Sequence, residues 1–170
     1  MDHVKSRVAA RAAAAPARGG TKKATSGGHL LHIGLWRATP VERIELAKKG
    51  LGAAEAKHLI GALSLPSDDA LAALRLPRAT FNRKVATNQA LSTAESERVI
   101  GMAKLVGQVE AMVEEMGDPT GFNASAWLSR WLKEPLPALG AVRPMDLMDT
   151  MEGQALVSSL LAQAGSGAYA

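Results

Sequence analysis

Residues 91–117 read LSTAESERVIGMAKLVGQVEAMVEEMG, and this stretch decides the fold. Val99, Met102, Val106, Val109 and Val113 recur at intervals of three and four, which puts them on one face of a helix. Ser92 and Glu95 precede that run as a capping box, each side chain satisfying a backbone N–H that the first turn leaves free. Gly117-Asp118-Pro119 ends the pattern. Working outward, PVERIELAKKG (40–50) starts on a proline and stops at a glycine suited to cap the C-terminus. AAEAKHLIGAL (53–63) aligns Leu59, Ile60 and Leu63, and SDDALAALRL (67–76) offers Ser67 as N-cap with two acids in the first turn. PRATFNRKVA (77–86), NASAWLSRWL (123–132) and TMEGQALVSSLLAQAG (150–165) complete the helices. No segment alternates with period two for long enough to form a strand, so the expected fold is all-α.

Composition agrees. Six aromatic residues in 170 leave alanine, leucine, valine and methionine to build the core, side chains that lose little entropy in a helix. Cysteine is absent, which excludes disulfides, thiol nucleophiles and cysteine-bound zinc. No phosphate-binding loop, nucleophile triad or metal-ligand set is present, so neither an enzyme nor a cofactor is expected. His29 and His32 lack further ligands nearby, and Trp127 and Trp131, four apart, read as core. No apolar run reaches the roughly 18 residues of a membrane span, and a cytoplasmic protein is expected.

Charge is graded along the chain. Residues 1–28 carry six basic groups and one acid, residues 29–104 a net +4, and residues 105–170 a net −5. Residues 1–39 read as a flexible basic arm, residues 40–110 as a first helical domain and residues 111–170 as a second. A basic front and an acidic back imply two partners, nucleic acid being the natural one for the front.

The segment DDALAALRLPRATFNRKVA (68–86) has the helix-turn-helix spacing. Phe81 and Val85 would face the core, leaving Arg78, Ala79, Thr80, Asn82, Arg83 and Lys84 for DNA. Arginine reads guanine, asparagine reads adenine, and flanking cations hold phosphates. The turn Arg75-Leu76-Pro77 departs from the usual pattern, having neither a glycine for the left-handed position nor a capping serine.

Residues 134–150, EPLPALGAVRPMDLMDT, form a stiff, greasy loop. Trp131, Leu132, Pro135, Leu139, Gly140, Pro144, Leu147, Thr150 and Gly153 fit, in order and spacing, the pattern W-L-x-x-P-x-x-x-L-G-G-x-x-P, a leucine-rich turn and T-x-x-G. Together with the helix-turn-helix, the chain from about residue 40 onward resembles the Xre/MbcA/ParS antitoxins. Ala141 replaces the family's second glycine. Prolines 135, 137 and 144 would fix the backbone while Leu136, Leu139, Met145 and Leu147 bury themselves, so that the loop aims a closing helix docked by Leu156, Leu160 and Leu161.

The resemblance implies an antitoxin of a type II toxin–antitoxin pair. Its partner would be a RES-domain toxin that consumes NAD or transfers ADP-ribose from it, blocked by occlusion of the toxin's cleft. Binding to operator DNA would give autorepression, as a homodimer or a larger complex with toxin. Gly153, Gly165, Gly167, Tyr169 and Ala170 are the expected toxin-binding residues, with Tyr169 as the inserted anchor and the two glycines at 165 and 167 as a bend. Two rivals remain open: a free-standing transcription regulator whose second half only dimerises, and an organelle-imported helical adaptor whose basic arm is a targeting segment.

Overall fold

A computed structural model describes residues 26–117 and 119–166. Within them lie eight α-helices, and the all-α expectation holds. In order they are α1 (Ser26–Arg37), α2 (Pro40–Lys49), α3 (Ala53–Gly61), α4 (Ser67–Ala73), α5 (Arg78–Ala86), α6 (Thr93–Met116), α7 (Ala124–Trp131) and α8 (Met151–Ser166). Two 3-10 turns, Pro137–Leu139 and Pro144–Leu147, connect the last pair.

The stretch quoted first is the axle of the molecule. Ser92 and Glu95 form the reciprocal capping box, and the helix runs unbroken for 24 residues. Val99, Met102, Val106 and Val109 are buried as the spacing predicts, while Val113 is half-buried. Ile100, Ala103 and Leu105 are buried too, because α6 is packed on several sides, by α1, α2, α3, α7 and α8. The boundary expected at 110/111 therefore falls inside one continuous helix that both halves share.

The expected basic arm does not extend to residue 39. Residues 26–37 form α1, which lies along α6. His32 and Ile33 are buried and Leu35 packs on the core. Two backbones meet here: a methyl group on Gly107 would sit 2.1 Å from the His32 carbonyl oxygen. Only glycine permits that approach. The following turn is closed by Arg43, whose guanidinium donates to the carbonyls of Leu35 (3.0 Å) and Ala38, acceptors that the end of α1 leaves unpaired. Thr39 and Glu42 then form a second capping box at the start of α2. Residues 1–25 and 167–170 lie outside the described residues.

Polar groups lock α8 to α6. Gln108 donates to the Ser158 carbonyl at 2.9 Å, and the Ser158 hydroxyl donates back to Gln108 at 2.7 Å. Gln154, buried, donates to the carbonyls of Arg98 and Met148. Val157, Leu160 and Leu161 supply the apolar seal. Leu156, expected to help dock this helix, points outward at 45% exposure, and Val157 takes its place one residue on. Among the described residues, no helix is long and apolar enough to cross a membrane.

Candidate nucleic-acid and partner interfaces

The turn between α4 and α5 runs through Leu74, Arg75, Leu76 and Pro77. Leu74 and Leu76 are buried, which pins the turn to the core. Arg75 between them adopts φ +47°, the left-handed conformation anticipated for a position where glycine is more usual. Its Nε reaches Asp149 at 2.7 Å, immediately ahead of the Thr150 cap of α8. Ser67 is the first residue of α4 rather than its cap; Pro66 holds the cap position without a side-chain hydrogen bond.

On α5, Phe81 is buried and Val85 packs against the core, as the spacing predicts. Arg78, Ala79, Asn82 and Arg83 are exposed on the other side, and Thr80 is half-buried. Lys84 differs. It is paired with Glu95 at 2.5 Å, each side chain only 17% exposed, so it fastens α5 to the start of α6 instead of standing free for a phosphate. Burial pushes the Glu95 carboxyl up, but hydrogen bonds from Lys84 and Ser92 outweigh it and hold the group below its ordinary value. Arg78 meets Asp68 at 2.6 Å in an exposed pair, which water and salt weaken. The exposed basic face of α5 is thus narrower than the residue types alone suggest, and Asn82 and Arg83 are its centre.

The C-terminal loop joins α7 to α8 through two 3-10 turns. Asn123 caps α7 by accepting from the Ala126 N–H at 2.8 Å. Leu128 and Leu132 form that helix's core contacts. Trp127 and Trp131 are half-buried, stacked on each other with centroids 6.2 Å apart, and packed against the core as expected. Pro135 and Pro137 are exposed and Leu136 and Leu139 only half-buried, whereas Pro144, Met145 and Met148 are buried. Gly140 and Ala141 both take positive φ, +66° and +67°. The alanine at the family's second glycine therefore keeps a glycine-like backbone, at a cost of about 1–2 kcal/mol. Arg143 then grips Asp146 through two hydrogen bonds of 2.9 and 2.7 Å, which lower the Asp146 carboxyl pKa.

Thr150 caps α8 as expected, accepting from the Gly153 N–H at 3.1 Å. Gly153 itself is buried, and a methyl group there would lie 2.0 Å from the Leu147 carbonyl oxygen. The absence of a side chain is what allows this close approach of loop and helix. At Gly165 α8 continues to Ser166, so the expected bend does not start there, and a methyl would meet only the end of the flexible Met112 side chain. Gly167, Tyr169 and Ala170 lie outside the described residues.

Residues 42–104 match the model of the antitoxin Xre-like helix-turn-helix domain, and residues 111–167 that of the antitoxin Xre/MbcA/ParS C-terminal toxin-binding domain. A Sphingobium protein named Prs ADP-ribosylating antitoxin is 58% identical over 136 residues, which cover 80% of this chain and 86% of the relative. The chain belongs to the Xre/MbcA/ParS antitoxin family. The antitoxin Xre of Pseudomonas putida is more distant, 26% identical over 92 residues, 54% of this chain and 52% of that one.

Two contacts of this Xre/MbcA/ParS antitoxin were not evident from its sequence. Arg75–Asp149 and Lys133–Asp69 (3.0 Å) each join the helix-turn-helix to the C-terminal half, across a cleft of about 490 Å³. Their partners are 74 and 64 positions apart, and no local pattern announces such pairings. α1 did leave a signal: HLLHIGLW (29–36) carries five large apolar residues in eight, directly after the glycine-rich arm.

Proposed function

We propose that this antitoxin neutralises a RES-domain toxin with its C-terminal region and binds operator DNA through α5. The toxin partner is an NAD-consuming or ADP-ribosylating enzyme; the name of the Sphingobium relative and the family pattern both support that class. One observation carries the reading: the two matched domains share one long helix, α6, along which α8 packs, while α5 turns an exposed Asn82–Arg83 face to solvent. Arg83 presents a guanidinium that suits a guanine edge, and Asn82 an amide that suits adenine. The half beyond residue 104 is acidic by five charges, which favours encounter with a cleft built to hold an anionic dinucleotide.

Occlusion is the mechanism proposed for neutralisation. The loop from Pro135 to Thr150 sets where α8 starts, and α8 carries the terminal residues Gly167 to Ala170 toward the toxin's mouth, with Tyr169 as anchor. Two copies would read two half-sites of the operator, and the protein would act in the cytoplasm.

The test separates the two activities. Arg83→Ala lowers operator affinity by about 1–3 kcal/mol while toxin neutralisation in co-expressing cells persists. Removal of residues 167–170 releases toxin activity, read as growth arrest and NAD loss, with operator binding unchanged. A protein that represses its operator yet leaves every RES-domain partner active is a free-standing regulator, and the antitoxin proposal then falls.

A further inference from the structure

We propose that the outward face of α2 joins two copies of this chain, the two helices crossing antiparallel about a two-fold axis, so that one dimer carries two α5 helices to two half-sites. The proposal rests on the operator-binding function above and deepens it by naming the surface that pairs the copies.

α2 is a ten-residue helix with two distinct faces. It packs along α6, burying Ala47 and turning half-buried Arg43 to the end of α1. The other face carries Val41, Ile44, Glu45 and Lys48, three, one and three residues apart, and all four are exposed. Val41 is 61% exposed and Ile44 48%. Neither gains anything there from the core, and branching at Cβ makes each a weaker helix former than alanine or glutamate. Beside them runs a groove of about 210 Å³ between α2 and α8, floored by buried Ala47 and Ile100 and edged by Ile44 and Met151, itself 48% exposed. Exposed apolar surface thus continues from one helix to the next instead of being scattered singly.

Charge selects a second copy as the occupant. The acids Glu42 and Glu45 lie in the first half of α2 and the bases Lys48 and Lys49 in its last turn; Arg43, turned inward, stays out of this pattern. Two such helices pointing the same way set like charge against like. Crossed antiparallel, each acidic half meets the other copy's basic end, and Glu45 and Lys48 pair twice across the axis, the self-complementarity that a two-fold contact requires. Neither residue has an ion-pair partner among the described residues. DNA does not fit this face, because its phosphates would meet Glu42 and Glu45 and gain nothing from Val41 and Ile44. Two acids and two bases also give no steering toward a partner of one charge, such as an enzyme with a basic cleft. No lining residue of the groove belongs to α5, so pairing here does not use the Asn82–Arg83 face.

The experiment measures self-association of the purified full-length chain by sedimentation velocity over a concentration series. Melting, and binding to DNA from its own upstream region, intact or shortened to one half-site, are measured on the same samples. Ile44→Asp weakens dimerisation by about 100-fold and lowers affinity for the intact operator toward that of the half-site, with half-site affinity unchanged. Glu45→Lys and Lys48→Glu each weaken dimerisation by about tenfold, since each sets like charges opposite. The double variant Glu45→Lys, Lys48→Glu regains wild-type association, because both copies carry the exchange. A contribution confined to α2 itself moves melting and leaves association unchanged. If Ile44→Asp melts early, the charge variants, both on exposed side chains, decide the matter. Wild-type association in Ile44→Asp, or a double variant no tighter than the singles, overturns the proposal, as does a wild type still monomeric at concentrations that saturate the operator. Weakened binding of the co-encoded toxin in these variants, with self-association intact, overturns it in favour of the toxin. If the wild type dimerises through this face and binds no upstream DNA, the operator reading falls and the dimer stands; if it binds the operator and the variants dimerise as before, only the surface is refuted.

Discussion

α5 and α8 are held in opposite ways: α5 packs on α3 and meets the long helix α6 through an ion pair, whereas α8 packs along α6 itself. α5 is fixed by Phe81, by half-buried Val85 and by one half-buried ion pair, Lys84–Glu95, with Arg78, Ala79, Asn82 and Arg83 left to solvent. α8 is fixed by three buried aliphatic residues, by hydrogen bonds from two buried glutamines and by backbone contact at Gly153. A helix that reads a groove needs a rigid base and an open face, and side-chain anchors on one side supply both. A helix that must point at a partner needs a fixed direction along its whole length, which close backbone packing supplies. Substitutions on α5 should therefore divide sharply between anchor and open face, whereas those on α8 should couple stability to aim.

The comparison breaks hardest at Phe81. Phe81→Ala removes the main apolar anchor of α5 and should cost about 3–5 kcal/mol in urea denaturation. A loss under about 1 kcal/mol would show that the ion pair and the turn hold α5 without it. Next comes Gly153→Ala, which drives a methyl into the Leu147 carbonyl. The expected destabilisation is about 1–3 kcal/mol, with toxin neutralisation impaired more than operator binding. Unchanged melting and neutralisation would mean that the backbone there yields freely.

Acid sharpens the contrast between the two anchors. Glu95 has a lowered pKa in the folded protein, so its contribution is present above the unfolded value of 4.5 and is lost as pH falls through the folded value. Stability of the wild type should fall with acid below about pH 4.5 more steeply than that of Glu95→Gln, measured by denaturant titration at each pH. Parallel curves would assign the acid sensitivity elsewhere. The smallest effect is expected at Ala141. Ala141→Gly relieves the left-handed backbone and should stabilise the protein by about 0.5–1 kcal/mol, after the greater freedom of glycine in the unfolded chain is offset.

Much of this was legible in the residues. The capping boxes and the three-and-four spacing of Val99 to Val109 announced α6, because helix geometry is local and each signal lies within a few positions of its effect. The family pattern from Trp131 to Gly153 is similarly compact, so the loop and the cap at Thr150 were readable too. The arm was misjudged at its end: a glycine pair and a basic run hid α1, whose His32 and Ile33 are buried where α1 lies along α6, some seventy residues away. Lys84 was taken for a phosphate ligand because its position on α5 was evident but Glu95, on another helix, was not visible as its neighbour. Gly165 was read as a bend where α8 continues through it.

The chain's own order of residues determined which segments are helical, where each is capped, and which two partner classes its charge favours, since propensity, capping and periodicity act between near neighbours. Tertiary structure alone decided which exposed residues remain free. Whether a lysine faces a phosphate or a carboxylate, or a glycine bends a chain or admits a backbone, depends on elements distant in sequence that only folding brings together.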